Sequence, residues 1–544
     1  MTDDVHYFGF GHACACKYCR EKFQASYGCE LPAPDQWGKF AGDYRNPAFV
    51  KWLKFRFDST AEFQQAVTDH AESLGYKLLR PNYTTSTFAR NQTAYPFEQA
   101  GHLWSHVFQE NMFSSIMRAS WPSWSSDAAH RRAMAKKYDI EAMSMFYPAR
   151  FDDYYFCWSL SRMWEHLLMA TPEGGDLNEV EKKFLSCEQK HPRWCKKAVK
   201  FAPIAFMQPR RSLDLAYDAV ESSCRPLNVW LQGGVFRNLS YDIIFEDEPL
   251  EKFQQYSLIV VAGATMLTDE QLELFKKYCQ QGGRLLIYGE FGTSCEDGTA
   301  RVHPESVFGF TADLSDFHAI PAGKFSWQNA CIELPELNES RTLSNLAGDA
   351  EIIAQGDDCS IYGVSAMNGN LIWLAGGVRS RHPEAQHYAF VLSRWRDGQT
   401  VKCTAPAYAA DYIYNVPGAV LQALMPQQPL LSINSCDYQI SHSYLPESGQ
   451  YRIQLVNIAG LLAKPPQEIS HGDIFQNFVP DAVKNSSELR IQFRCGNLPE
   501  KLQKVYAWSP ELANEVDLEA CRQNNALEIV IPPDTFAGFL EIEF

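Results

Sequence analysis

Residues 1–29 read MTDDVHYFGFGHACACKYCREKFQASYGC. Two acids, Asp3 and Asp4, stand about ten residues ahead of a Cys14-x-Cys16-x-x-Cys19 knot. Thiolates at this spacing can converge on one tetrahedral zinc ion, with Zn–S distances of roughly 2.3 Å. The plainer alternative is three apolar cysteines in a core, but such density is rare outside metal or disulfide sites. A zinc ion held here braces the loop rather than performing chemistry. Structural sites are filled by protein ligands and leave no water to activate.

The same stretch, Cys-x-Cys-x-x-Cys-Arg-x-x-Phe and then the step Tyr27-Gly28, resembles the segment just after the acid/base strand in glycoside hydrolase family 42 β-galactosidases and their relatives. The resemblance runs on to the C-terminus and covers the family's order of domains. It implies an α/β chain with part of a (β/α)8 TIM barrel, an amidotransferase-like (flavodoxin-like) α/β domain through which the family trimerises, and a C-terminal β-sandwich. A carbohydrate substrate is implied as well. Asp3 or Asp4 takes the place of the acid/base, where the family's β-galactosidases have Glu preceded by Asn. Asp is shorter by roughly 1.3–1.5 Å, so the backbone has to compensate if a proton is to be transferred. Four barrel strands precede this motif in the family, whereas here it stands at the N-terminus. A complete barrel takes about 250 residues. Residues 1–175 therefore read as the C-terminal half of a barrel whose first half is missing from the sequence. The family's fourth cysteine would also lie upstream, which leaves His12 or Cys29 as the remaining zinc ligand, or an incomplete site.

With 544 residues and 46% hydrophobic content, the chain can form several domains with large cores. A net charge of -16 disfavours nucleic acid and anionic membrane as partners and suits neutral substrates. Aromatic residues make up 13%, which serves sugar-binding clefts and cores alike. The 16 cysteines are scattered singly beyond the first cluster, a pattern of reduced thiols and a cytoplasm-like compartment. Residues 1–20 lack the basic and apolar regions of a signal peptide, and no apolar run approaches the roughly 20 residues of a membrane span.

Asn46-Pro47 predicts a helix start, and apolar residues from Phe49 to Leu74 recur mostly at helical spacing. Ser59 with Glu62 reads as a capping box that restarts this helix after Asp58. Strands follow at 76–79, 102–113, 140–147 and 166–172, separated by a helix over 128–137 and another over 155–165. Glu110 and Asn111 fall at the C-terminal end of the second of these strands, where barrel enzymes keep their chemistry. Trp104, Trp121 and Trp124 nearby are candidates to stack on a sugar. The 140–147 strand ends in Phe146-Tyr147-Pro148, whereas the resemblance implies a nucleophilic Glu there; Glu141 sits at the opposite end. Tyr147 is a candidate to position the nucleophile. Asp152 and Asp153, on the following loop, are second choices to Glu110 as the partner carboxylate.

Residues 176–199 read as a linker or peripheral helix. From 200 to 400 short apolar strands alternate with helices, which predicts a parallel sheet. Thr268 and Gln271 form a capping box for a helix over 269–281 that Gly282-Gly283 ends. The motifs YDIIFED, YSLIVVAGATMLTDEQ and GGRLLIYGEFG carry the likeness to the trimerisation domain, so the chain is expected as a homotrimer. Ala262-Gly-Ala-Thr-Met follows the strand where an amidotransferase would need a cysteine nucleophile, which removes that activity. From 405 to 544 the pattern is alternating strands without helices, a small antiparallel sandwich. No organic cofactor is implied.

Overall fold

The computed structural model describes residues 14, 16–76, 94–111, 121–146, 151–170, 178–216, 223, 225–376, 401–402, 407–458, 468–469, 484–494, 504–523 and 525–544. They form two compact units, each assembled from separate stretches of chain. The first takes Met1–Val107, Ala205–Asn228 and Ile243–Arg379; the second takes Phe108–Ile204, Val229–Asp242 and Ser380–Phe544.

In the first unit the helix Pro47–Ser73 starts as its sequence predicts. The Asn46 side chain accepts from the Ala48 N–H at 3.0 Å, and Pro47 supplies a preset φ where no N–H is needed. Its restart after Asp58 does not occur, and the helix runs unbroken for 27 residues. The polar residues read as a cap are instead lateral contacts to the helix Lys17–Tyr27. Asp58 accepts from the Tyr27 hydroxyl at 2.5 Å, and Glu62 pairs with Lys22. Phe23, Phe49, Trp52 and Phe55 fill the seam between these helices.

The unit's main sheet has a parallel centre. The strand Arg284–Ser294 pairs in parallel with Leu258–Met266 on one side and with Leu371–Leu374 on the other. Ile204–Gln208 and then Tyr241–Phe245 continue the order beyond Leu258–Met266. All nine residues of Leu258–Met266 are buried, as a strand covered on both faces requires. The capping box of the helix Asp269–Gln280 forms as predicted: Thr268 Oγ1 accepts from Gln271 N–H, and Gln271 Oε1 accepts from Thr268 N–H. Gly282 ends that helix at φ +89°, a left-handed conformation that a Cβ would strain. Beyond Leu371–Leu374 the sheet turns antiparallel, through Ile361–Ala366, Ala350–Gly356, Gly323–Trp327 and Ala330–Leu334.

The second unit contains the partial (β/α)8 barrel. His106–Asn111, Glu141–Phe146 and Leu167–Ala170 lie side by side as its first, second and third strands, and the latter two pair in parallel. The helices Trp121–Tyr138 and Phe151–Met163 connect them. The strand expected over 76–79 has only Tyr76 within the described residues. Of the two readings of residues 176–199, linker or peripheral helix, the structure has the helix Asn178–Lys190, whose Phe184 is buried against Trp158.

Two antiparallel sheets close the unit as the predicted β-sandwich. One is ordered Leu431–Ile433, Leu489–Phe493, Ala526–Ile531, Glu519–Gln523; the other centres on Gln450–Asn457 between Tyr438–Leu445 and Phe539–Glu543. Ile453, Leu455, Ile491, Phe493 and Ile529 meet between the sheets, each fully buried and contributing about 1.5–3 kcal/mol. One element contradicts the all-strand reading after 405: Ala407–Leu424 is an 18-residue helix. Pro417-Gly418 resembles turn punctuation, but Val416, Val420, Leu421 and Leu424 are buried at helical spacing. A Cβ on Gly418 would come within 2.6 Å of the Gly233 carbonyl oxygen, so the glycine serves a close approach rather than a turn.

Candidate active site

The chemistry of a barrel gathers at the C-terminal ends of its strands. In the second unit the first barrel strand ends with Glu110 and Asn111. The second ends with Phe146, and the helix that follows begins Phe151-Asp152-Asp153. Glu110 thus stands at the C-terminal end of its strand, and Asp152 and Asp153 follow the C-terminal end of the next one. The two aspartates belong to the first turn of a helix, not to a loop as the sequence reading had them. Trp121 is the first residue of the helix Trp121–Tyr138. Asp3, Asp4 and Tyr147 lie outside the described residues.

Two of the expected sugar platforms are core residues. Trp104 is 3% exposed, its indole N–H donates to Gln64 Oε1 at 3.0 Å, and its ring lies against Phe97. Trp124 is 2% exposed and packs on Phe146 with ring centres 5.4 Å apart. Neither has a free face for a sugar, because both are buried in the core. The second strand alternates, with Ala142, Ser144 and Phe146 buried. Its last residue is a core aromatic at the position where the family resemblance implies a carboxylate. Its single acid, Glu141, stands at the other end and accepts from the Lys196 N–H.

Beneath the strand ends the charges are organised for stability. Arg162 makes a two-pronged contact with Glu541, at 2.9 and 2.7 Å, and Arg452 approaches the same carboxylate at 3.2 Å. Trp508 Nε1 donates to Glu541 at 3.1 Å, and Glu188 joins Arg162 to Arg193. Burial alone would raise Glu541, but the two arginines outweigh it and bring its pKa down to about 2. His166 bridges Ser144 Oγ at 2.8 Å and the Ala128 carbonyl at 2.9 Å; burial and nearby arginines hold it well below its ordinary value, hence neutral. Sequence reasoning flagged none of these residues. Their partners are remote along the chain, and no local spacing marks them.

A cysteine cluster that could hold a metal ion lies in the first unit. The Sγ atoms of Cys14, Cys16 and Cys19 lie within 4.8 Å of one another, a fit for three thiolates around one zinc. Cys16 precedes the helix Lys17–Tyr27, and the Cys19 backbone N–H and the neighbouring thiols hold its thiol below the usual range. Cys29 is described but stands outside this group; His12 lies outside the described residues. Every described cysteine is a free thiol. Among the described residues no helix is long and apolar enough to cross a membrane.

No protein-family model matches the chain, and no curated protein matches it in sequence. Solved structures do resemble it. Alpha-L-fucosidase isoenzyme 2 from Paenibacillus thiaminolyticus superposes with a TM-score of 0.63 at 12% identity, over 98% of this chain and 76% of that one. The β-galactosidase from Bacillus circulans sp. alkalophilus gives 0.58 at 12%, over 98% and 77%. A catalytic mutant of Gan42B, a GH42 β-galactosidase from G. stearothermophilus, gives 0.59 at 11%, over 98% and 77%. The chain has the fold of GH42-like glycoside hydrolases.

Proposed function

We propose that the protein is a carbohydrate-active hydrolase that cleaves a glycosidic bond, β-galactoside-like, with a pair of carboxylates. One must be protonated to give a proton to the leaving oxygen; the other must be ionised and face the anomeric carbon. Asp3 or Asp4 is the proposed acid and Glu110 its partner, with Asp152 and Asp153 the alternatives. The observation that carries this reading is the placement of Glu110 at the C-terminal end of a barrel strand, in a chain with a glycoside hydrolase fold. Asn111 and Trp121 are the proposed sugar contacts. The experiment is Glu110→Gln, assayed on a panel of nitrophenyl glycosides. A nucleophile loses several powers of ten in rate on this substitution; a variant that keeps most of its activity removes Glu110 from the mechanism.

A second reading rests on Phe146. With a buried aromatic at the end of the second strand, the fold would bind carbohydrate without hydrolysing it. An intact parent protein that turns over none of the glycosides, yet binds sugars in calorimetry, supports this reading over the first. A third reading, a fragment acting only through its trimerisation domain, requires residues 1–175 to be digested early in limited proteolysis.

Two further parts of the proposal are separable. Zinc at Cys14, Cys16 and Cys19 would brace the segment in a reduced, cytoplasm-like compartment, and the purified protein should carry about one zinc per chain. Equal zinc in the parent and in a Cys16→Ser, Cys19→Ser variant ends that idea. Assembly as a trimer through residues 200–400 predicts three times the chain mass in sedimentation, and a monomer at micromolar concentration contradicts it.

A further inference from the structure

The second unit also holds a small pocket away from the barrel strand ends. It is walled by Trp164, by Lys200 and Phe201, by the stretch 235–241 and by the strand Tyr438–Leu445. Its cavity is about 30 Å³, room for a water-sized guest and too small for a sugar ring. The ε-amine of Lys200 is its reactive group. Nζ donates to the Met163 carbonyl at 3.3 Å and to Ser441 Oγ, and lies 4.1 Å from the centre of the Trp164 ring.

Among the described residues no carboxylate pairs with this amine. Burial holds its pKa well below that of an ordinary lysine, and Arg132 adds to the effect; Glu165 and Asp242 oppose it. The Trp164 face favours the ammonium form, but a cation–π contact is worth only about 0.5–2 kcal/mol. His442, on the same wall, brings no charge of its own: its pKa is pushed down to about 3, chiefly by burial, and its Nε2 accepts from the Phe201 N–H. Two acceptors take the two N–H bonds of a neutral amine. Its lone pair is then left for an electrophile.

We propose that Lys200 is a modification site whose ε-amine adds carbon dioxide and holds it as a carbamate. The nitrogen lone pair forms the new N–C bond, and the π pair of one C=O bond moves onto its oxygen. The nitrogen releases one proton to solvent. Amine and carbon dioxide thus become a carbamate anion and a proton, with no oxidant or reductant. The size of the cavity selects a small linear electrophile. The sign of the product selects carbon dioxide over a small aldehyde: a carbamate gains from the Arg132 guanidinium, which is fixed by its hydrogen bond to the Ala198 carbonyl at 2.8 Å, whereas an imine carries no negative charge.

The test uses the full chain in 13C-bicarbonate at neutral pH, with carbamates trapped by a trialkyloxonium reagent and mapped by peptide mass spectrometry. Each unit of pKa lowering multiplies the uncharged amine by about ten, so occupancy at Lys200 should exceed that at exposed lysines such as Lys324 by tenfold or more. The carbamate resonance in 13C NMR should vanish in Lys200→Met. Occupancy at Lys200 no higher than at Lys324, or an undiminished resonance in a folded Lys200→Met variant, overturns the proposal. If that variant does not fold, the peptide map of the parent protein decides alone.

Discussion

Glu541 in the second unit and Glu246 in the first are both buried glutamates, 0% and 7% exposed, with opposite titration behaviour. Glu541 meets Arg162 through two parallel hydrogen bonds and Arg452 through a third contact, and its pKa falls to about 2. Glu246 follows the strand Tyr241–Phe245, and its pKa is pushed up to about 8. Burial is the main cause. Arg211 opposes it with its guanidinium at 3.5 Å and its backbone N–H, which donates to Glu246 Oε1 at 2.9 Å, while Glu98 and Asp214 add like charge. Arg210 is spent on those two acids, and Arg211 also donates to Gln271. Burial has the same sign in both places. What separates them is how many fixed guanidinium donors each carboxylate receives.

The largest effect should come from removing the well-paired acid. Glu541→Gln removes the closest counter-ion of two buried arginines, leaving Arg162 only its 3.4 Å contact with Glu188 and Arg452 only its 3.4 Å contact with Glu543, which costs about 3 kcal/mol. A denaturant melt that moves by less than 1 kcal/mol would show the arginines to be solvated after all. The parent has its own acid signature here. A depressed pKa gives stability that is present above the unfolded value near 4.3 and lost as pH falls towards 2.

Glu246→Gln should act with the opposite sign. Between about pH 4.3 and 8 the unfolded chain ionises this group and the folded one does not, so rising pH favours unfolding. The variant escapes that loss. It should be more stable than the parent by on the order of 1–3 kcal/mol at pH 8 and indistinguishable from it near pH 4. A variant less stable than the parent at pH 8 would mean that the Arg211 pair outweighs burial.

A smaller change sharpens the same comparison. Gln271 both closes the helix cap on Thr268 and donates to the Glu246 carbonyl. Thr268→Ala should cost about 1 kcal/mol for the lost cap. It should also loosen the Gln271–Arg211 contact, so the cost should grow from pH 5 to pH 8 as Glu246 ionises. A pH-independent cost would uncouple the cap from the glutamate.

Local signals in the sequence were readable and largely correct. Asn46-Pro47, the Thr268–Gln271 box, the alternation of Tyr451–Asn457 and the apolar strand at Leu258 all act within a few residues. Whatever depends on remote partners was not legible. Asp58 and Glu62 resembled a cap boundary because their partners, Tyr27 and Lys22, sit on another helix. Trp104 and Trp124 resembled a cleft because nothing in their neighbourhood along the chain shows which face is covered. The helix Ala407–Leu424 was hidden by Pro417-Gly418, whose purpose becomes visible only beside Gly233. In the candidate site, what was legible is that Glu110 stands near the C-terminal end of a strand.

The Arg162–Glu541 pair spans 379 residues of sequence, and this sets a timetable. At about 5–20 residues per second, a ribosome needs on the order of 20–80 s to travel from one partner to the other. Throughout that interval the arginine has been made and its final counter-ion has not. Glu188, only 26 residues downstream of Arg162, emerges within the first few seconds and can hold the guanidinium meanwhile. The helix Phe151–Met163 therefore has a provisional partner during synthesis and a permanent one at its close.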